Sequence, residues 1–304
     1  MEEKDILKRL VKNDALFRKI HVVTQNYDIL PSDKKHMGAY IEYQDIRELR
    51  EEFLDDLIDS IVDWIYSSEK FSELKAIAMS NGKSDAAASQ EVGRKAREKF
   101  RANHNSDNLL VQGQLGELLL FHFIQRFMKA APLLRKMKIT TSSDHERFGA
   151  DAIHYKVQAG KNIIVLGEAK TYTSKYKFSN AFSDALTSVL DTYNKHRKEI
   201  NSYVHEDFLD AEMNEVAEAY LNNTLENVEV HLVSIVTYNE STVLKLDSEQ
   251  EIKNQIEEII ADRYKKFDNS KIDLSSNPIL KRITYIVFPV WDLKALAEQF
   301  QNMI

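Results

Sequence analysis

The segment KNIIVLGEAKTY, residues 161–172, runs from a β-branched apolar stretch into Glu168 and Lys170, two positions apart. On an extended strand these two share a face with Ile164 and Leu166, while Ile163, Val165, Gly167 and Ala169 take the other. Both faces begin apolar, the pattern of a central strand covered on both sides. The preceding stretch, RFGADAIHYKVQAGK, reads as its hairpin partner, with Asp151, Ile153, Tyr155 and Val157 in phase and Ala159-Gly160 at the turn. A two-residue turn pairs Gln158 with Lys161, and counting outward sets Asp151 opposite Glu168 and Gly149 opposite Lys170. A single β-bulge would shift that pairing by one.

Opposed residues of an antiparallel ladder hold their Cβ atoms about 4.5–5.5 Å apart. Two carboxylates at that distance repel and raise one another's pKa unless a positive charge lies between them. A divalent cation meets the need: Mg²⁺, with Mn²⁺ as a substitute, takes one or two carboxylates plus water and phosphate oxygens. Lys170, on the same face as Glu168, could then orient an attacking water or stabilise charge developing on phosphorus. The competing reading is a plain salt bridge, in which Lys170 neutralises Asp151 and Glu168 at the end of a sheet. Three other Glu-x-Lys pairs, Glu2–Lys4, Glu73–Lys75 and Glu251–Lys253, sit in polar, helix-like contexts that surface charge explains. Only Glu168–Lys170 closes a buried-type strand with an Asp at the matching hairpin position.

Softer candidates surround this group. Glu117, in QGQLGELLLFHF, stands on a buried-type helix where Gly113 and Gly116 permit close backbone approach. It is either an additional metal ligand or a buried acid tied to a backbone or Arg partner. Tyr172, Lys175, Tyr176 and Lys177 interleave rings and cations just after the pair, and Lys195, His196, Arg197 and Lys198 end the next helix. Both groups suit phosphate contact, and both equally suit a solvated face or a cation-capped helix end. His145 and His154 flank Asp151 without forming a ligand pair, and they read as structural.

The elements that must hold these residues follow from periodicity. Residues 1–20 read as a short amphipathic helix, and 20–43 as strand pieces IHVV and AYIEY around a Pro-Ser-Asp turn. From Asp45 a helix is expected, with Ile46, Leu49, Phe53, Leu57, Ile61 and Ile65 at three- and four-residue steps. Residues 81–91, NGKSDAAASQE, read as a mobile loop or linker, followed by the basic helix VGRKAREKFRANH. Leu109–Ala130 reads as a long, nearly all-round apolar helix, hence a buried one. Beyond the hairpin come a helix near 180–200, acidic helical residues around 206–222, a strand at 228–238, a helix at 247–267, a strand at 283–290 and a terminal helix. The second part is therefore α/β, and the first is mainly helical with a small β contribution. The division expected is 1–105 for the helical N-terminal region and 106–304 for the core.

The totals restrict the chemistry. The 304 residues include no cysteine, which excludes disulfides and thiolate-bound metals, so any metal is held by oxygen or imidazole. A net charge of −7 advertises no polyanion partner, and a nucleic-acid site would be local on an acidic body. The charged opening MEEKDILKRLVKND lacks a signal-peptide core, and apolar runs such as LLLF before His122 are far too short for a bilayer. A soluble, cytoplasmic protein with no membrane partner is the expectation.

A helix with Glu, a hairpin with Asp and Glu-x-Lys, then helix and strand, resembles the PD-(D/E)XK nuclease superfamily over about residues 109–240. The resemblance implies a restriction-endonuclease-like core, a mixed sheet flanked by helices. It also implies a catalytic set of Asp151, Glu168 and Lys170, with Glu117 matching an acid often found on the first core helix. Gly149-Ala150 stands before the Asp where many members carry Pro. More narrowly, GQLGELLL, FGADAIHY, LGEAKTY and FSNAFSDAL resemble the effector nuclease of Hachiman anti-phage defence systems, HamA. That likeness implies Mg²⁺-dependent DNA cleavage restrained by a superfamily 2 helicase (HamB), with the N-terminal third as a candidate for partner contact. Two other functions stay open: a non-catalytic DNA- or helicase-binding adaptor on a decayed nuclease fold, and a restriction-type or junction-resolving endonuclease. RNA also stays open as a substrate, because nothing here reads a base or a 2′-hydroxyl.

Overall fold

A computed structural model describes residues 2–11, 13–102, 108–134, 150–173, 178–203 and 211–304. The described part opens with two short helices, α1 (Glu3–Lys8) and α2 (Asp14–Phe17), in place of one longer helix. Strands β1 (Ile20–Gln25) and β2 (His36–Ile41) follow, then the small ribbon β3 (Tyr43–Gln44) and β4 (Arg47–Glu48). The helix expected from Asp45 begins only at α3 (Arg50–Asp59) and continues as α4 (Ile61–Ile65). Ile46 lies in the ribbon's turn and is exposed, so the apolar step from Ile46 to Leu49 belongs to no helical face.

Helices α5 (Ser68–Ser80) and α6 (Asp85–Ala102) leave only a four-residue turn of the expected 81–91 loop. Ser84 Oγ accepts the Ala87 N–H at the start of α6. The alanines after it are strong helix formers, and they outweigh the small, polar look of NGKSDAAASQE. Helix α7 (Asn108–Phe123) passes at its end into a wider, π-type turn, Ile124–Met128, which stops at Lys129 with φ near 54°. The strand β5 (Ala131–Leu134) was not expected from periodicity. Then come β6 (Ala152–Gln158), β7 (Lys161–Tyr172), α8 (Phe178–Tyr203), α9 (Ala211–Leu221), β8 (Val228–Glu240), α10 (Glu249–Lys265), β9 (Ile283–Trp291) and α11 (Leu293–Met303).

Seven of these strands form one mixed sheet in the order β1-β2-β9-β8-β7-β6-β5. Strands β2, β9, β8 and β7 run parallel, and β1, like the β6–β5 edge, joins in antiparallel pairing. The fold is thus α/β, a mixed sheet flanked by helices, consistent with a restriction-endonuclease-like core. β1 and β2 hydrogen-bond into this same sheet, so residues from the first hundred share its core. Phe53, Trp64 and Phe100 bury with Leu115, Phe288 and Phe300 on one face. The other face packs Phe182, Val189, Ile256 and Tyr264 from α8 and α10 against Leu166, Leu232 and Val287.

The hairpin register matches the turn count. Gln158 pairs with Lys161 and the ladder runs in step to Ala152 with Gly167. Ala159 and Gly160 both adopt positive φ, the geometry of a type I′ turn. Helix α7 crosses β7 closely enough to need glycine on both sides of the contact. A Cβ on Gly167 would stand 2.8–3.2 Å from Ile124, Leu120 and Ala152, and one on Gly116 would stand 2.6 Å from Thr171 Oγ1. Gly167→Ala is expected to lower stability by about 1–3 kcal/mol through overpacking. A urea melt checks this, and an unchanged midpoint would contradict the close packing.

Candidate active site

The carboxyl-terminal part of β7 holds Glu168 and Lys170. β7 pairs in parallel with β8, placing Glu168 beside Ser234 and Lys170 beside Val236 at the carboxyl end of the parallel strands. In open α/β sheets that end is where ligands bind. Glu168 is 3% exposed, and its two oxygens are held from α8. Ser188 Oγ donates to Oε2 at 2.8 Å, and Thr192 Oγ1 donates to Oε1. Burial pushes the Glu168 carboxyl up to about 7, and the negative charge of Asp151 adds to the rise. The two hydroxyls and the Lys170 ammonium pull the other way without cancelling it.

Lys170 is half-buried and its Nζ stands 3.8 Å from Glu168 Oε2. A charge-assisted hydrogen bond between such groups measures about 2.7–2.9 Å. The Glu168–Lys170 contact is therefore an ion pair longer than a direct hydrogen bond. Asp151 lies one residue beyond the paired part of β6. Its N–H donates to Gly167 O at 3.1 Å, and its Oδ2 accepts the Ala169 N–H at 2.9 Å. The carboxylate thus folds over the β7 backbone between Gly167 and Ala169, next to Glu168, while the ladder itself ends at Ala152.

Asp151 and Glu168 form the donor set that Mg²⁺ prefers, one or two carboxylates with the remaining positions left to water and phosphate. Burial, and after it the negative charge of Asp151, raises Glu168, and a cation beside the two acids relieves that condition. The residues present therefore fit a divalent cation. Among the described residues no three His, Asp or Glu side chains converge as a metal cluster. Glu117 stands partly buried on α7, whose neighbouring Gly116 and Leu120 pack on the Ala169/Thr171 and Gly167 side of β7. Ser188 and Thr192 approach Glu168 from α8, on the other face.

The model of the HamA family matches residues 16–304 of this chain. The chain belongs to the HamA family. Membership makes it a Hachiman-associated defence protein. No curated protein matches the chain. Among the described residues of this HamA family member, no helix is long and apolar enough to cross a membrane.

The remaining sequence candidates divide. Tyr172 stands two residues beyond Lys170, and its hydroxyl donates to Asp184 Oδ2 at 2.6 Å, with burial pushing the phenol up to about 12. Lys195 pairs with Asp191 at 2.6 Å on the exposed side of α8. Arg197 donates to Leu221 O and Asn223 Oδ1 and covers the Tyr220 ring at 4.7 Å, so it is committed to the end of α9. His196 is buried with Nε2 2.6 Å from the Tyr220 hydroxyl. His154 is buried with its ring 5.5 Å from Phe121, as a structural histidine should be. Lys175, Tyr176, Lys177 and His145 lie outside the described residues.

Sequence reasoning missed Ser188 and Thr192 entirely. Their signal was spacing: in SDALTSVLDT, residues 183–192, Asp184, Ser188 and Thr192 recur at four-residue steps on one helix face. Small polar residues at that period read equally well as a solvated surface, and only the packed strand distinguishes the two.

Proposed function

We propose that this HamA family member is a metal-dependent deoxyribonuclease, the effector of an anti-phage defence system, using Asp151, Glu168 and Lys170. The observation that carries this reading is the buried Glu168 carboxyl with Asp151 bonded to the β7 backbone on either side of it and Lys170 Nζ 3.8 Å from its Oε2. Two acids and a lysine at the carboxyl end of parallel strands suit phosphodiester hydrolysis. A bound Mg²⁺ or Mn²⁺ supplies Lewis-acid polarisation of the phosphate and a lowered pKa for the attacking water. Asp151 and Glu168 would hold the cation. Lys170 would orient the nucleophile or meet charge on the phosphate oxygens.

Restraint by a superfamily 2 helicase, HamB-like, completes the proposal and rests on the family alone. We assign the partner contact to the helical part of the first hundred residues, where Ile77 and Met79 of α5 are exposed apolar side chains. Tyr172 at the rim, with Lys175 and Lys177 after it, is the segment we assign to nucleic-acid contact. Lys195 and Arg197 have partners within the fold and contribute less.

The test is incubation of purified protein with plasmid DNA and with a structured RNA, in Mg²⁺, in Mn²⁺ and in a chelator. Cleavage of DNA that requires the metal supports the reading. Cleavage of RNA alone moves the substrate class. Protection of cells by a cleavage-dead variant favours the adaptor function.

A further inference from the structure

We propose that α8 is the element that sets both acids of the candidate site, with Ser188, Thr192 and Glu199 as its positioning residues. The proposal rests on the nuclease reading above and adds residues to it. Ser188 and Thr192 each donate to a different oxygen of Glu168. Glu199, further along the same helix, accepts the Ala150 N–H through Oε2 at 2.8 Å. That peptide immediately precedes Asp151, whose own N–H and carboxylate are bonded to β7 at Gly167 and Ala169.

At about 100° per residue, Ser188, Thr192 and Glu199 fall within an arc of about 40° on α8, and Asp184 lies just beside them. One face of one helix therefore reaches the supports of both acids, spaced about 16 Å from Ser188 to Glu199 along its axis. The helix is itself fixed. His196 and Arg197 anchor its outer part to α9 through the Tyr220 hydroxyl, Leu221 O and Asn223 Oδ1. An acid whose two oxygens both receive hydroxyl hydrogens has one orientation, and its remaining lone pairs point away from the helix.

Packing alone gives a different expectation. If Thr192 only filled space, Thr192→Val would keep its volume and leave metal binding untouched. If it positions Glu168, the isosteric change frees one oxygen to rotate, and partners of this kind change metal affinity by about 10–100-fold.

The decisive experiment titrates Mn²⁺ alone into the full chain, following free Mn²⁺ by electron paramagnetic resonance, with circular dichroism as the check on folding. Ser188→Ala/Thr192→Val and Glu199→Ala are each expected to weaken Mn²⁺ binding about 10-fold or more, while Thr192→Ser retains wild-type affinity. Thr192→Val alone carries the test should the double variant unfold. Wild-type affinity in both Thr192→Val and Glu199→Ala overturns this inference and leaves the nuclease reading standing. A wild-type chain that takes up no Mn²⁺ overturns both together.

Discussion

Lys170→Met is expected to lower the single-turnover cleavage rate by on the order of 10²–10³-fold while leaving metal affinity and fold intact. The ammonium stands 3.8 Å from Glu168, too far to be that acid's chief support, and Ser188 and Thr192 already hold both of its oxygens. Removing it should therefore leave Glu168 in place. What disappears is a positive charge beside the position where a phosphate and its nucleophile would meet. Glu168→Gln should behave differently, losing metal affinity and cleavage together, because it removes a ligand charge at constant shape. The split between the two variants separates a catalytic lysine from a salt-bridge lysine. Equal loss of metal affinity in both would assign Lys170 to support of the site instead.

The second large effect concerns stability and pH in the metal-free protein. Burial, with Asp151 nearby, raises the Glu168 carboxyl from 4.5 to about 7 in the folded chain. Between those values the folded chain keeps a proton that the unfolded chain has released, so stability falls as pH rises through that window and levels off above it. The loss from this group is on the order of 3 kcal/mol at pH 8. Glu168→Gln removes it, and the variant should be more stable than the wild type at pH 8 and equal to it near pH 4. Saturating Mg²⁺ should restore the wild type at pH 8, because a ligand that binds only the folded chain adds to its stability. Denaturant melts at several pH values, with and without Mg²⁺, measure this. Parallel pH profiles for the two proteins would contradict the electrostatic description of the site.

Local signals with few alternatives were legible in the sequence. The register of β6 on β7 followed from one turn, because Ala159-Gly160 admits a tight two-residue connection and a period of two fixes everything outward from it. The strands β7, β8 and β9 were legible as apolar runs, and β7, apolar on both faces, as a central strand. Contacts made at a distance were not legible. The four residues of β5 are too few to show a period. Whether β1 and β2 join the main sheet depends on pairing with β9, some 250 residues later, which no local pattern encodes.

The site divides along the same line. Glu168 and Lys170 stood out because charge at the end of an apolar strand is anomalous on its own terms, and the turn count then singled out Asp151. Ser188, Thr192 and Glu199 did not stand out, since a polar stripe on a helix becomes meaningful only when a buried carboxylate lies opposite it. The last step of the turn count also fell short. The ladder ends at Ala152, and Asp151 turns its backbone and side chain onto β7, a hydrogen-bonding choice that the alternation of apolar residues does not determine.

The most direct test of the central claim is anomalous diffraction from crystals of the protein soaked in Mn²⁺. One strong anomalous peak is expected within ligand distance of both the Asp151 and Glu168 carboxylates, with Lys170 Nζ outside the coordination sphere. Lys170 bridging the two acids with no peak between them would contradict that claim.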